Sequence, residues 1–404
     1  MNNIFDFNDD DNIETAPVYD NISALKPVPE FMQDLNPEQK EAVLKTEGPL
    51  LVLAGAGTGK TRVLTNRIAY LIAEHGVKPW NIIAITFTNK AAKEMKTRIE
   101  NLVGDMANDI WIGTFHSMCV RILRREITKI GFASDFTIYD TADTKVVIKE
   151  CIRELNLNDK LYGDKYLLNE ISKAKNELMD PDRFSKLYAN DYRLSKVADA
   201  YELYQNKLKK NNAVDFDDII NHTIKIFQEN PDVLAYYQDK FKYVLVDEYQ
   251  DTNKAQDLLI TLLSKVHQNI FVVGDDQQSI YKFRGADIQN ILNFERNFKN
   301  TKVVKLEQNY RSTKNILNIA NQVIKHNEGN VEKNLWTQND TGSKPVLYGA
   351  DDEYAEANYV ASQIASLRRE EFYKYSDFAI LYRTNAQSRA FEDVFMREGL
   401  PYKV

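Results

Sequence analysis

Short apolar runs, each followed by a stretch of helical period, recur along the chain. They fall at Leu50–Leu53, Ile82–Thr86, Ile110–Gly113, Tyr243–Val246, Ile270–Val273 and Val303–Leu306, with two more at Val346–Tyr348 and Phe378–Tyr382. Val/Ile-rich runs alternating with helices predict parallel strands, hence an α/β fold. Between His116 and about Asp215 the pattern changes to charged, helically periodic sequence (Tyr201, Leu203, Tyr204, Leu208) without clear strands. This reads as a helical insertion in the first α/β domain. After Tyr310 the strand pattern restarts, predicting a second α/β domain of which residues up to Val404 hold only about two strands. The expected division is 1–30, a tail; 31–116 and 213–304, the two parts of the first domain; 117–212, the insertion; and 305–404, part of the second.

Composition narrows the class. Hydrophobic residues are 43% and charged residues 27% of 404, an ordinary globular balance. No apolar run reaches the roughly 20 residues that span a bilayer, no secretory leader is visible, and a cytoplasmic protein is expected. Cys119 and Cys151 form no metal or disulfide pattern and are expected to be buried thiols. The net charge of −7 at first argues against nucleic acid, but residues 1–30 hold seven acids and only Lys26 as a base, leaving −1 for the rest. That remainder can carry local basic faces, and the acidic, proline-containing start reads as a disordered tail.

The chemistry begins at Leu53–Arg62, "LAGAGTGKTR". With Ala54 in the first place it meets Gly-x4-Gly-Lys-[Ser/Thr] between an apolar run and a helical pattern. Glycines let backbone N–H groups turn inward around anionic oxygens, and the following helix directs its positive end at them. Ala54, Gly55, Ala56, Gly57, Thr58 and Gly59 form the cradle, Lys60 would hold the β- and γ-phosphates, and Thr61 would ligate Mg²⁺. In "YVLVDEYQD", Tyr243–Asp251, two acids follow a buried strand, where open α/β sheets place ligands. Asp247 suits the Mg²⁺ role and Glu248 that of general base for an attacking water. The pair of elements predicts a nucleoside triphosphate hydrolase.

Other segments say which kind. "LNPEQKEAV" (Leu35–Val43), "ITFTNKAAKEM" (Ile85–Met95), "GTFHS" (Gly113–Ser117), "VDFDD" (Val214–Asp218), "VGDDQQSIYKFRGA" (Val273–Ala286) and "LEQNYRS" (Leu306–Ser312) occur in that order. In order and wording the chain resembles the UvrD/PcrA/Rep group of superfamily 1 DNA helicases over roughly residues 33–404. The resemblance implies a RecA-like P-loop NTPase domain with a helical insertion, followed by part of a second RecA-like domain. It implies ATP and Mg²⁺ as cofactors, and 3′→5′ translocation on single-stranded DNA and unwinding of duplex with a 3′ tail, in DNA repair or replication.

The same resemblance implies roles for particular residues. Gln39 would read the adenine edge, Arg62 would flank the nucleotide and Tyr310 would stack on the base. Arg311 would reach the γ-phosphate as an arginine finger, and Gln278 would sense that phosphate. Phe87, Tyr281 and Phe283 would hold bases or line the strand's path; Phe283 stands where the family more usually has tryptophan. Thr86, Thr88, Asn89, Thr114 and His116 would contact DNA phosphates. Lys90, Lys93, Lys96, Arg121, Arg124 and Arg125 are either phosphate-binding or solvated helix faces.

The family's later motifs and its second helical insertion do not occur in residues 1–404. These residues alone are therefore expected to bind ATP–Mg²⁺ and hydrolyse it weakly. Two other readings stay open: the helicase part of a recombination helicase–nuclease, and a non-catalytic nucleotide- and DNA-binding module, against which the intact Lys60, Asp247, Glu248 and Arg311 argue.

Overall fold

The computed structural model describes residues 32–327 and 333–404, so the acidic N-terminal tail lies outside the described residues. Two compact units divide between Thr341 and Gly342.

The first unit is built on a six-stranded sheet. Its strands are β1 (Leu50–Ala54), β2 (Ile82–Thr86), β3 (Trp111–Thr114), β6 (Tyr243–Val246), β7 (Ile270–Gly274) and β8 (Lys302–Leu306). They lie in the order β3-β2-β6-β7-β1-β8 and every pairing is parallel. Side chains alternate across a strand, and here they separate into two cores. Leu51, Leu53, Ile83, Ile85, Val244, Val246 and Val272 join helices Phe115–Glu126, Phe216–Glu229 and Lys254–Ser264 on one face. Leu50, Val52, Ala84, Leu245, Phe271, Val273 and Val304 join helices Pro37–Leu44, Lys60–Ala73 and Asn89–Val103 on the other. Both faces are covered, as the uninterrupted apolar runs require.

The helical segment has a third core, from Val147 to Ala213, contributed mainly by helices Thr141–Glu154, Asp164–Asn176 and Tyr192–Lys210. A small parallel pair, β4 (Thr137–Ile138) with β5 (Ala213–Val214), closes its base. Helix Phe115–Glu126 instead packs on the main sheet, through Phe115, Met118, Cys119, Ile122 and Leu123. Both cysteines are free and buried.

An ion cluster ties the helical segment to the sheet domain. Lys175 Nζ, on helix Asp164–Asn176, lies 2.6 Å from Asp215 Oδ2 and 2.7 Å from Asp218 Oδ1, at 1% side-chain exposure. The two acids also cap the helix Phe216–Glu229 reciprocally. Tyr204 donates its hydroxyl to Asp215 and Gln205 its amide to Asp218, both at 3.0 Å.

β8 pairs with β1, so the chain past 302 stays with the first unit, and the expected division at 304/305 lies inside β8. The second unit, Gly342–Val404, packs helices Glu353–Glu371 and Ser388–Arg397 around Ala357, Ala361, Ile364, Val394 and Phe395. The expected strands at Val346–Tyr348 and Phe378–Tyr382 do not form. Each has strand composition but no paired neighbour among the described residues, and Leu347 and Leu381 stand 99% and 96% exposed. A strand is a pairing, and composition alone does not make one.

Replacing Lys175 with Met should cost about 3–5 kcal/mol, because two buried carboxylates lose their cation. Urea unfolding should show that loss near neutral pH, and the loss should shrink on acidification as protonation neutralises the stranded acids.

Candidate functional site

All the sheet's carboxyl ends face one edge, and the turns leaving them build two neighbouring cavities. β1 ends in the glycine loop. Gly57 and Gly59 take φ of +66° and +87°, a region cheap only for glycine. A Cβ at Gly57 would meet Asn309 Nδ2 at 2.6 Å, and one at Gly55 would meet Leu335 Cδ2 at 2.2 Å. Gly59 caps helix Lys60–Ala73 without a side-chain bond, which leaves that helix's first N–H groups for an anion. Thr58 closes the loop by donating to Gly55 O at 2.8 Å.

Opposite the loop, Lys60 Nζ pairs with Glu248 Oε2 at 3.4 Å. Thr61 Oγ1 donates to Asp247 Oδ2 at 3.4 Å. Burial, with Glu248 beside it, pushes the Asp247 carboxyl up to about 7. Glu248 sits in the left-handed region at φ 52°, a placement that costs on the order of 1–3 kcal/mol for a residue with a side chain. Ala56, Gly57, Gly59, Lys60, Thr61, Arg62, Glu248, Gln278 and Arg311 line one cleft of about 260 Å³. Arg98, from helix Asn89–Val103, also lines it and was not anticipated. Ala54 ends β1, fully buried beneath the loop.

Gln39 is 1% exposed and not a surface residue. Its Nε2 donates to Thr58 O at 2.9 Å, and its Oε1 accepts from Asn36 N at 3.1 Å. Tyr310, 45% exposed, accepts from Asn36 Nδ2 at 3.0 Å. The segment carrying Tyr310 and Arg311 is fastened to the glycine loop: Asn309 Nδ2 donates to Ala56 O at 2.6 Å and Tyr310 N to Gly57 O at 2.9 Å. Arg62 pairs with Asp34 at 3.5 Å.

Two side-chain oxygens beside a lysine and above free N–H groups fit Mg²⁺ and a triphosphate. Mg²⁺ keeps several waters and needs only one or two carboxylates from a protein. Thr61 and Asp247 could hold it.

The second cavity, about 440 Å³, is lined by Thr86, Phe87, Thr88, Thr114, His116, Tyr281 and Phe283, and also by Asp251 and Asn253. Only Asn89 of the expected nucleic-acid residues is not in its lining; it opens helix Asn89–Val103, which Thr88 caps. Phe283 is 71% exposed, with its ring 5.9 Å from that of Tyr281. Phe87 is half-buried and meets Phe115 edge-on at 5.9 Å. Burial pushes the His116 imidazole down to about 4, only partly offset by a backbone bond at Phe216. A neutral imidazole can donate a hydrogen bond to a phosphate but carries no counter-charge. The arginines of helix Phe115–Glu126 lie over aromatic rings: Arg121 over Trp111 at 4.1 Å, Arg124 over Phe136 at 4.0 Å and Arg125 over Tyr236 at 5.8 Å. They are packed rather than simply solvated.

Four residues joining these elements were missed: Asn36, Gln250, Asp275 and Lys333. Lys333 Nζ is fully buried, 2.6 Å from Asp275 Oδ1 and paired also with Asp276. Asp275 had a readable signal, since it follows β7 as Asp247 follows β6.

A parallel sheet, a glycine loop capping a helix after β1 and an acid pair at the end of β6, with β7 between the two strands, define a RecA-like P-loop NTPase fold. Residues 35–299 match the UvrD/REP helicase N-terminal domain and residues 304–404 the UvrD-like helicase C-terminal domain. The chain belongs to the UvrD/REP helicase family. It is 56% identical over 375 residues to the ATP-dependent DNA helicase PcrA of Bacillus subtilis, covering 93% of this chain and 51% of that protein. The PcrA proteins of Staphylococcus epidermidis and Staphylococcus aureus are 55% and 54% identical over 372 residues, 92% of this chain and 51% of each. The chain thus spans about half the length of the curated relatives it matches.

His116 offers a check on the second cavity. The folded chain disfavours the imidazolium, while the unfolded chain takes up that proton near 6.5. The His116 contribution to stability should therefore fall as pH drops from about 6.5 towards 4, by up to about 1.4 kcal/mol per pH unit, against an opposite contribution from acids such as Asp247, whose carboxyl burial pushes up. His116→Gln should remove this contribution, so that acidification costs the variant less stability than it costs the unmodified chain, while the contribution of His222, which burial also pushes down, stays. Urea midpoints at neutral pH and at about pH 5 measure both.

Proposed function

We propose that this chain carries the ATP-hydrolysing motor of a 3′→5′ single-stranded DNA translocase and helicase that serves DNA repair or replication. The observation that carries the proposal is adjacency. A phosphate-type cleft and a cavity lined by aromatic and hydroxyl side chains share the turn 248–251, through Glu248 in the one and Asp251 in the other, and the loop 275–283, through Gln278 in the one and Tyr281 and Phe283 in the other. Stacking on aromatic faces is worth about 1–3 kcal/mol per base and ignores base identity, which suits a protein that moves along a strand. The polarity is that of the family resemblance.

In this reading the N–H groups of the glycine loop and Lys60 hold the phosphates, with Thr61 and Asp247 holding Mg²⁺. Bound there, Mg²⁺ would offset charge on the phosphate oxygens. Glu248, 3.4 Å from Lys60, takes a proton from the attacking water. Arg311, in the lining of the same cleft, supplies positive charge as the γ-phosphoryl group leaves. Gln278 registers the γ-phosphate. Tyr310 stacks on the base, while Asn36 and Gln39 fix the wall behind it. In the second cavity Phe87, Tyr281 and Phe283 offer faces to successive bases. Thr86, Thr88, Asn89, Thr114 and neutral His116 offer hydrogen bonds to the backbone.

ATP hydrolysis with and without single-stranded DNA tests the reading. DNA should raise turnover by the unmodified chain, and Lys60→Ala should abolish hydrolysis and weaken nucleotide binding. Turnover by Lys60→Ala close to that of the unmodified chain would sink the proposal. Glu248→Gln should bind ATP–Mg²⁺ near normally while turnover drops by about 10²–10⁴-fold; equal losses in both would make Glu248 a binding residue.

A further inference from the structure

Gln250 lies between the two cavities, 2% exposed, and both polar atoms of its side chain are bonded. Its Nε2 donates to Glu248 Oε2 at 2.9 Å and to Asp251 Oδ2 at 3.3 Å. Glu248 lines the nucleotide cleft and Asp251 the second cavity. One amide nitrogen therefore joins a carboxylate of each. The other end of the same amide, Oε1, accepts from Asp275 N at 2.9 Å, where the loop after β7 begins. The Gln250 carbonyl accepts from Ser279 Oγ at 3.2 Å, further along that loop.

The loop thus hangs on Gln250 at two points, and it serves both cavities. Gln278, in the cleft lining, donates to Asp275 Oδ2 at 2.6 Å. Tyr281 and Phe283, in the other lining, follow within five residues. The amide cannot turn over. Reversed, its NH₂ would face the Asp275 N–H and its oxygen would face two carboxylates. The backbone of β7 passes close beneath it, since a Cβ at Gly274 would come within 2.6 Å of Gln250 Oε1. Any displacement of Glu248 must pull on the same rigid amide that holds the start of the loop.

We propose that Gln250 is the positioning residue through which occupancy of the nucleotide cleft sets the geometry of the single-strand cavity, and the reverse. This rests on reading those cavities as the ATP and DNA sites. Coupling between two sites is reciprocal and typically amounts to 5–150-fold in affinity.

The test is the affinity of the 404-residue chain for a labelled oligothymidylate, measured by anisotropy with and without saturating Mg²⁺ and a non-hydrolysable ATP analogue. The reciprocal measurement uses the analogue with and without the oligonucleotide. The unmodified chain should show the same factor, at least about fivefold, both ways. Gln250→Met should keep each separate affinity within about threefold and bring the factor to within about twofold of unity. A simple packing loss would weaken both affinities and leave their ratio unchanged. If Gln250→Met gives no cooperative unfolding transition, Ser279→Ala decides, since it drops one bond to Gln250 and should reduce the factor; an unchanged factor overturns the proposal. Linkage surviving in Gln250→Met, or both ligands binding the unmodified chain without linkage, overturns this proposal alone. Failure of the unmodified chain to bind either ligand overturns the functional reading together with it.

Discussion

A parallel strand can be followed by another parallel strand only through a crossover, so every strand of such a sheet leaves its last residue at the same edge. In this chain that constraint gathers six separate stretches of sequence. The glycine loop after β1, Phe87 after β2, His116 after β3, Asp247 after β6, Asp275 after β7 and Gln308 after β8 reach one rim because all pairings share one direction. The apolar alternation fixes the register: a one-residue slip in β1 would exchange Leu51 and Leu53 with Leu50 and Val52 between the two cores. Burial thereby positions polar atoms that contribute nothing to burial themselves.

The rim still needs local fastening, and much of it is by amide side chains. Gln39 holds Thr58 O, Asn309 holds Ala56 O, Asn290 holds Thr252 O at 3.0 Å, and Gln250 holds Asp275 N. A carboxamide offers both donor and acceptor without charge, so it can brace a loop beside Lys60, Asp247 and Glu248 without perturbing them as a nearby ion would. Charged fastening is present as well: Lys175, in the lining of the second cavity, lies between Asp215 and Asp218, and Lys333 holds Asp275 and Asp276 at the start of the loop after β7.

What the sequence discloses follows from the range of the physics. The glycine loop and the Asp247–Glu248 pair could be read because their chemistry is local, a strand end and a turn of a few residues. The six sheet strands could be read because each is buried on both faces. Gln250, Asp275 and Lys333 could not be joined in advance, since their bonds span sequence separations of 25 and 58 residues that no period reveals. Lys175 was hidden in a charged stretch, where nothing local distinguishes a buried lysine from a solvated one. The opposite error occurred at Val346–Tyr348 and Phe378–Tyr382, whose strand composition is good but whose partners are absent from the described residues.

The helix Phe115–Glu126 shows how the cavities are tied to the sheet behind them. Its N-cap, Thr114, accepts from Ser117 N at 3.2 Å, and Ser117 Oγ accepts from Thr114 N at 2.9 Å. A Cβ at Gly113 would come within 2.5 Å of Ser117 Oγ and 2.6 Å of the Met118 methyl. The last strand residue and the first helical turn are therefore in direct contact, and His116 is carried at a fixed height above β3. Its ring meets Phe216, which opens the helix that the Lys175 cluster caps. The helical segment also lines the cavity directly, through Ser172, Lys175 and Asn176, so a displacement of that segment relative to the sheet would move the wall both there and through Asp215, Phe216 and His116. The buried cation that stabilises the base of that segment thus also limits how far the wall can move.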